Sequence, residues 1–360
     1  MRLEPLRIPV NRRGDWLIVR LRARGRAALG DATSAGDLDA AAALLTGALT
    51  DLLAGADLLA TDARADDLLA WAISHGGDRL HATVASAVEQ ALWDLRARVE
   101  GVPIHALLGG ARRDTITLYA NMNRGTHDRS LAAFAERARL ARADGFRAVK
   151  IAPFDEVTRD VQGGELVLAA EAGIARVAAV REALGDGIEL LVDCHRRFDV
   201  ESAVAVAARL HEYGVAWFEE SVRGGEPAQL AEVRRRVPMR TAGGESLFGA
   251  DAFRALIDAG AVDVVMPDVK HCGGLRETLR IAHLAAERGI GFAPHNPHGP
   301  IGTAHSLHVC AAAPEAERLE YQFREVEWSR AWVAPTEAPR DGHLAVPAGA
   351  GLGVELTDAP

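Results

Sequence analysis

Acidic side chains recur at matched positions along the middle of the chain. Asp193 closes Leu190-Leu191-Val192-Asp193, Glu219 lies in Trp217-Phe218-Glu219-Glu220, Glu245 follows Gly243-Gly244, and Asp268 ends Val264-Val265-Met266-Pro267-Asp268. The intervals are 26, 26 and 23 residues, and His295 in Phe292-Ala293-Pro294-His295 comes 27 residues later. Each interval is about one strand-plus-helix unit. Three carboxylates converging at Asp193, Glu219 and Glu245 would repel one another in a partly desolvated site. A hard divalent cation cancels that repulsion; all-oxygen ligation suits Mg²⁺, with Mn²⁺ as a substitute. Strand alternation alone does not choose between Glu219 and Glu220.

Asp268 and His295 fall on adjacent strands. A carboxylate bonded to one imidazole nitrogen fixes the tautomer and leaves the other nitrogen as a general base. His195, two residues after Asp193 in extended chain, points the same way and is placed to hand a proton to a leaving group. Asn121, Asn123 and Arg124 follow another strand and are candidate contacts for substrate hydroxyls. Only two of the 41 basic residues are lysine, Lys150 and Lys270. Lys270 points from its strand toward the mouth or serves at the surface, and His298, beyond the strand of His295, reads as a loop residue.

Elements must hold these groups at one level. From 115 to 323, β-rich runs appear at 115–121, 148–152, 188–193, 215–219, 240–244, 262–268, 290–294 and 318–323. Helix-period segments such as Ser130–Ala143, Val200–Tyr213 and Leu275–Arg288 separate most of them. Eight parallel strands alternating with helices predict an α/β fold of the (β/α)8-barrel type, with its active site at the C-terminal strand ends. Residues 111–323 form that barrel. Residues 1–110 read as an α+β capping domain, with a strand at Trp16–Leu21 and a strong helix over 85–99 stopped by Gly101 and Pro103. The last stretch, 324–360, adds no further unit and is expected to return to the cap.

Composition excludes several classes. Net charge is −9 with no basic run, which argues against nucleic acid as a partner. No apolar stretch approaches the roughly 20 residues of a membrane span, and the charged start does not read as a secretory signal. Three cysteines without paired spacing fit a reducing, cytoplasmic setting and give no zinc motif.

Taken together, these motifs resemble those of the enolase superfamily. Ala87-Val88-Glu89-Gln90-Ala91-Leu92-Trp93-Asp94-Leu95 through Leu107-Leu108-Gly109-Gly110 is similar to the end of that family's capping domain. Asp193, Glu219 and Glu245 match its three magnesium ligands, which selects Glu219 over Glu220. The tail segments Gly342-His343-Leu344 and Gly351-Leu352-Gly353-Val354 resemble the return to the cap. Asp268 with His295 is the mandelate-racemase-like arrangement; the muconate-lactonizing type has lysine at the Asp268 position. Many such relatives carry Lys-x-Lys on the second barrel strand, but here the segment is Lys150-Ile151-Ala152, and Ala152 accepts no proton. Inversion at carbon needs bases on both faces, whereas β-elimination needs one base and one acid. With Asp-x-His on the third strand, the chain is similar to galactonate dehydratase and related acid-sugar dehydratases.

The resemblance implies Mg²⁺-dependent dehydration of an aldonate or aldarate to a 2-keto-3-deoxy acid. His295 would take the α-proton and His195 would protonate the departing hydroxyl. Lys150 would sit beside the substrate carboxylate, and a protonated Glu320, ending Leu319-Glu320-Tyr321, would donate to the enediolate. Relatives are commonly homo-oligomeric. The alternatives are an epimerase, racemase or cycloisomerase of the same family, or a catalytically silent metal-binding protein. The segment around Arg12 and Arg13 is short where relatives carry a substrate-covering loop.

Overall fold

The protein is represented by a computed structural model that describes residues 1–11, 14–34 and 36–357; Arg12 and Arg13 lie outside the described residues. The chain opens with an antiparallel sheet of β1 (Arg2–Asn11), β2 (Gly14–Ala23) and β3 (Arg26–Asp31). Its longer helices follow: α1 (Leu38–Thr46), α2 (Thr61–Ser74) and α3 (Arg79–Glu100). The carboxylate of Asp78 accepts from the His81 N–H to start α3, and Gly101 at φ +74° stops it. Leu17, Val19 and Leu21 of β2 pack on Val84, Val88 and Leu92 of α3, burying one face of each element.

Eight parallel strands then form the second unit: β4 (Thr115–Asn121), β5 (Ala148–Ile151), β6 (Glu189–Asp193), β7 (Val215–Glu219), β8 (Arg240–Gly243), β9 (Val264–Val265), β10 (Gly291–Phe292) and β11 (Leu319–Gln322). They pair in chain order from β4 to β10, and β11 returns to pair with β4. The bonds Glu317 N–H to Phe292 O (3.0 Å) and Glu320 N–H to Pro294 O (3.4 Å) span the remaining seam. The fold is an α/β barrel of the expected class. Strands β9 and β10 are shorter than their apolar runs because Pro267 and Pro294 carry no N–H. Single bonds from Ala293 N–H to Val265 O and His295 N–H to Pro267 O continue their alignment.

Seven principal helices connect the strands: α4 (Leu131–Ala143), α5 (Glu171–Leu184), α6 (Val200–His211), α7 (Pro227–Arg236), α8 (Ala250–Asp258), α9 (Leu275–Glu287) and α10 (Pro300–Ala312). All thirteen residues of α10 are buried, so it is covered on every side. Its His305 bonds Leu29 O of β3, and its His308 bonds Leu352 O of the tail. Burial keeps both imidazoles below their ordinary range, at about 3 and about 4, so they serve as neutral connectors.

Acidic residues of α3 fasten cap to barrel. Glu89 accepts the N–H groups of Leu275 and Arg276 at the start of α9, plus the Trp93 indole. Gly274 is needed there: it sits at φ +90°, and a Cβ would meet the Glu89 carboxylate at 2.1 Å. Asp94 accepts the N–H groups of Leu29 and Leu352. The tail divides its contacts. Its β12 (His343–Ala345) pairs antiparallel with β4, while Gly351 and Leu352 engage the cap side. Among the described residues no helix is long and apolar enough to cross a membrane.

Candidate active site

The inward faces of the strands change character along their length. A lower layer of Tyr119, Ala148, Leu191, Trp217, Ala242, Val264 and Ala293 is apolar and closely packed. One step further toward the C-terminal ends, strand alternation brings Asn121, Lys150, Asp193 and Glu219 onto the same face. Asp268, His295 and Glu320 join them from the other strands, and the turn at Gly244 (φ +108°) brings in Glu245. The apolar layer excludes water from below, so the polar layer works over a dry floor.

Asp193, Glu219 and Glu245 each offer an oxygen, all within 4.8 Å of one another. Glu220 turns away: it accepts the Gly244 N–H at 2.7 Å and pairs with Arg196. Burial, with Asp193 adjacent, pushes the Glu219 and Glu245 carboxyls above their usual range. One Glu219 oxygen is bonded by Lys150 at 2.6 Å; the other is buried without a hydrogen-bond partner. An orphaned carboxylate oxygen facing two further carboxylates is a donor set for a hard cation, so the residues fit Mg²⁺ or Mn²⁺.

The two imidazoles flank this triad. His295 Nδ1 lies 2.8 Å from Asp268 Oδ2, and its Nε2 lies 3.2 Å from Glu245. Burial works against its charge, but Glu245, Glu320 and Asp268 prevail and raise it to about 9. On the other flank, His195 Nε2 lies 2.8 Å from Asp193 Oδ2, and its side chain is 42 % exposed. The Asp193 carboxylate raises His195 above its ordinary value. His195 (φ +48°), Arg196 (φ +56°) and Glu220 (φ +44°) all occupy the left-handed region. Backbone bonds between the two loops, Cys194 N–H to Glu219 O and Arg196 N–H to Glu220 O, hold that conformation.

Several expectations change. Glu320 was expected to be a protonated donor. Its carboxylate instead faces donors: Lys150 at 3.3 Å, the Asn296 N–H at 2.9 Å and the Asn121 amide. Against the effect of burial, Lys150 and His295 hold it below the usual range, which favours the carboxylate form. Asn121 is thereby committed to Glu320, and its oxygen to the Asn123 N–H. The Asn123 side-chain oxygen accepts from Arg129, and Arg124 pairs with Glu325 at 2.8 Å. The three expected substrate contacts therefore have protein partners.

Lys270 is buried rather than at the surface, and His298 lies in the loop after β10, as expected, but is buried there. His298 bonds Asp268 Oδ1 at 2.9 Å, opposite the oxygen that holds His295. Lys270 is fully buried, and its Nζ has no hydrogen-bond partner. Asn296 and Tyr119 escaped sequence reasoning. Asn296 grips Glu320, and Lys150 stands 5.2 Å over the Tyr119 ring. The Pro294-His295-Asn296 run offered a signal for the first; nothing local offered one for the second.

Comparisons with known proteins agree with this geometry. Residues 133–359 match the family model described as enolase C-terminal domain-like. Residues 2–109 match the mandelate racemase/muconate lactonizing enzyme N-terminal domain. The chain is 35 % identical to D-gluconate dehydratase of Thermoproteus tenax, over 77 % of this chain and 55 % of that protein. It is 33 % identical to D-xylonate dehydratase of Haloferax volcanii, over 75 % of this chain and 66 % of that one. The matched segments thus span just over half to two thirds of those relatives. A mandelate racemase/muconate lactonizing enzyme-like protein from Rubrobacter xylanophilus superposes with a TM-score of 0.90 at 33 % identity, covering 99 % of this chain and 95 % of that one. A protein of that description from Paracoccus denitrificans, complexed with magnesium, gives 0.89 at 27 % identity, with 99 % and 95 % covered.

Proposed function

The chain belongs to the enolase superfamily, in its mandelate racemase/muconate lactonizing enzyme group, and from that premise we propose that it dehydrates a sugar acid. The observation that carries this reading is the pair of unlike imidazoles on either side of the acidic triad, with alanine at position 152. One is buried and carboxylate-bound and suits a base; the other is half exposed at the mouth and suits an acid. The names of the D-gluconate and D-xylonate dehydratases support the same reading.

His295 Nε2 takes the C2 proton, and the C–H electron pair enters the carboxylate as an enediolate. Asp268 holds Nδ1, fixing the tautomer and favouring the imidazolium that results. The enediolate then collapses, the C2–C3 double bond forms and the C3–O bond breaks. His195 supplies the proton with which the hydroxyl leaves as water. The enol tautomerises to a 2-keto-3-deoxy acid. Lys150, buried and kept protonated by Glu219 and Glu320 against the effect of burial, adds positive charge near the substrate carboxylate. Asp193, Glu219 and Glu245 would hold the cation, whose chemistry is to offset the charge that develops on the enediolate oxygens.

A second reading is favoured by one relative, the D-galactarolactone cycloisomerase of Agrobacterium fabrum, 30 % identical over 79 % of this chain and 76 % of that one. Product identity separates the two. The purified protein with Mg²⁺ is screened against a sugar-acid library for 2-keto acid, read with semicarbazide, and for α-proton exchange in deuterated water. Keto acid from any member is expected. Exchange or isomerisation without keto acid favours the isomerase, and neither event with any sugar acid removes the proposal.

A further inference from the structure

A cavity of about 930 Å³ opens beside His195, walled by the segments that follow β5, β6 and β7. Its wall includes Arg159, Arg196, Arg197 and Arg223. Arg196 is neutralised by Glu220. Among the described residues, no carboxylate lies within 4.0 Å of the guanidinium groups of Arg159, Arg197 or Arg223. The acidic residue of the wall, Asp155, is engaged by Arg129 at 2.6 Å and Arg176 at 3.6 Å. Asp160, bonded to the Thr158 hydroxyl, lies in the field of Arg223 and offsets one of the three charges. The cavity is therefore cationic in a chain whose net charge is −9.

Two of these arginines are held in place by backbone. Arg197 Nη1 donates to Val157 O at 2.6 Å. Arg223 donates to Arg197 O at 2.9 Å and to Thr158 O at 3.0 Å. Each guanidinium carries five N–H donors, so most remain uncommitted on planes already fixed. Such forks match the oxygens of a carboxylate or phosphate in two-point contact. His195 both lines this cavity and touches Asp193 of the acidic triad, so its side chain is common to the two. A sugar acid anchored at the triad and extending past His195 would bring its far end here.

Resting on the dehydratase reading above, we infer that the substrate carries a second anionic group. It is a sugar acid with a terminal carboxylate or phosphate, and Arg197 and Arg223 bind that terminus. A neutral terminal hydroxymethyl group leaves the guanidinium donors without a charged partner and loses the charge-assisted bonds, so discrimination is expected at this end.

The test compares gluconate, glucarate and 6-phosphogluconate, and the corresponding galacto series, on the Mg²⁺-loaded full chain. The expected result is a kcat/KM at least roughly tenfold higher for one dianionic series than for its matched aldonate. Which series wins identifies carboxylate or phosphate. Arg197→Met and Arg223→Met should each collapse that ratio toward unity through KM, while Arg197→Lys, which keeps the charge, retains part of it. Melting curves establish that the variants are folded. Equal turnover of mono- and dianionic acids, or a ratio that survives the double variant, overturns the inference and leaves the dehydratase reading standing. If no acid exchanges its α-proton, that reading fails first. Calorimetric binding of the same six acids then decides on the cavity: dianion-selective binding lost in Arg197→Met supports it, and unselective binding overturns it.

Discussion

At the scale of single residues, the two histidines divide the labour, and substitution should divide it the same way. His295→Asn keeps a side chain that can bond Asp268 but removes the basic nitrogen. It should abolish both α-proton exchange and keto-acid formation, a loss of about 10²–10⁴-fold or more. His195→Asn should leave exchange near the wild-type rate and lose dehydration. Equal loss of both in the second variant would assign His195 to the first step. Lys270 makes a separate point. Its ammonium is buried without a hydrogen-bond partner, and burial lowers its proton affinity despite Asp268 and Asp31 nearby. Lys270→Met fills a similar volume without that desolvation cost. It should raise stability by about 1–3 kcal/mol in a denaturant titration, and a fall of that size would reveal a partner for the amine.

At the scale of elements, the carboxylate spacing was readable because strand, loop and helix have characteristic lengths. A repeat of about 25 residues puts Asp193, Glu219, Glu245, Asp268 and His295 at the ends of successive strands; period two turns all but Glu245 inward, and the turn at Gly244 brings that one in. What stayed hidden depends on contacts made far along the chain. Lys270 in the β9–α9 turn and His298 in the β10–α10 loop both lie buried near Asp31 of the cap, and no local pattern encodes that cover. The donors that surround Glu320 were hidden for the same reason. Its donors come from Lys150, Asn121 and Asn296 on three other segments. The Glu89-Gln90 pair was legible as a motif, while its purpose emerges from the contacts. Glu89 caps α9 of the barrel, and Gln90 bridges the Asp31 N–H and Val269 O. Glu89→Ala leaves two N–H groups at the start of α9 and one indole N–H unpaired in a buried joint. A loss of about 3 kcal/mol or more in thermal or denaturant unfolding is expected, and retention of wild-type stability would show that the joint is held elsewhere.

At the scale of the whole molecule, cap, barrel and tail converge on one mouth. Trp16 of β2 lies 5.6 Å from both Trp328 and Trp332 of the tail, tilted against the first and stacked on the second, so elements from both ends of the chain meet there. The charge gathered beneath that mouth makes stability depend on the cation. Folding brings Asp193, Glu219 and Glu245 together, whereas the unfolded chain keeps them apart, so an ion that prefers the folded form stabilises it by mass action. At a hundred times the dissociation constant the gain is about 2.7 kcal/mol, a rise of several degrees in melting temperature. Protons compete for the same groups. Burial raises the proton affinity of Glu219 and Glu245, and His295 holds a proton up to about 9 while Glu245 remains uncompensated. Ion binding must displace the carboxyl protons, and by taking up the Glu245 charge it also releases the His295 proton. Proton release on binding means that affinity falls as pH falls. The melting shift on adding Mg²⁺ should therefore be larger at pH 8 than at pH 6, should reverse with chelator, and should vanish in Glu219→Gln. A Mg²⁺ shift that is the same at both pH values, or that persists in Glu219→Gln, would place the ion elsewhere on the protein.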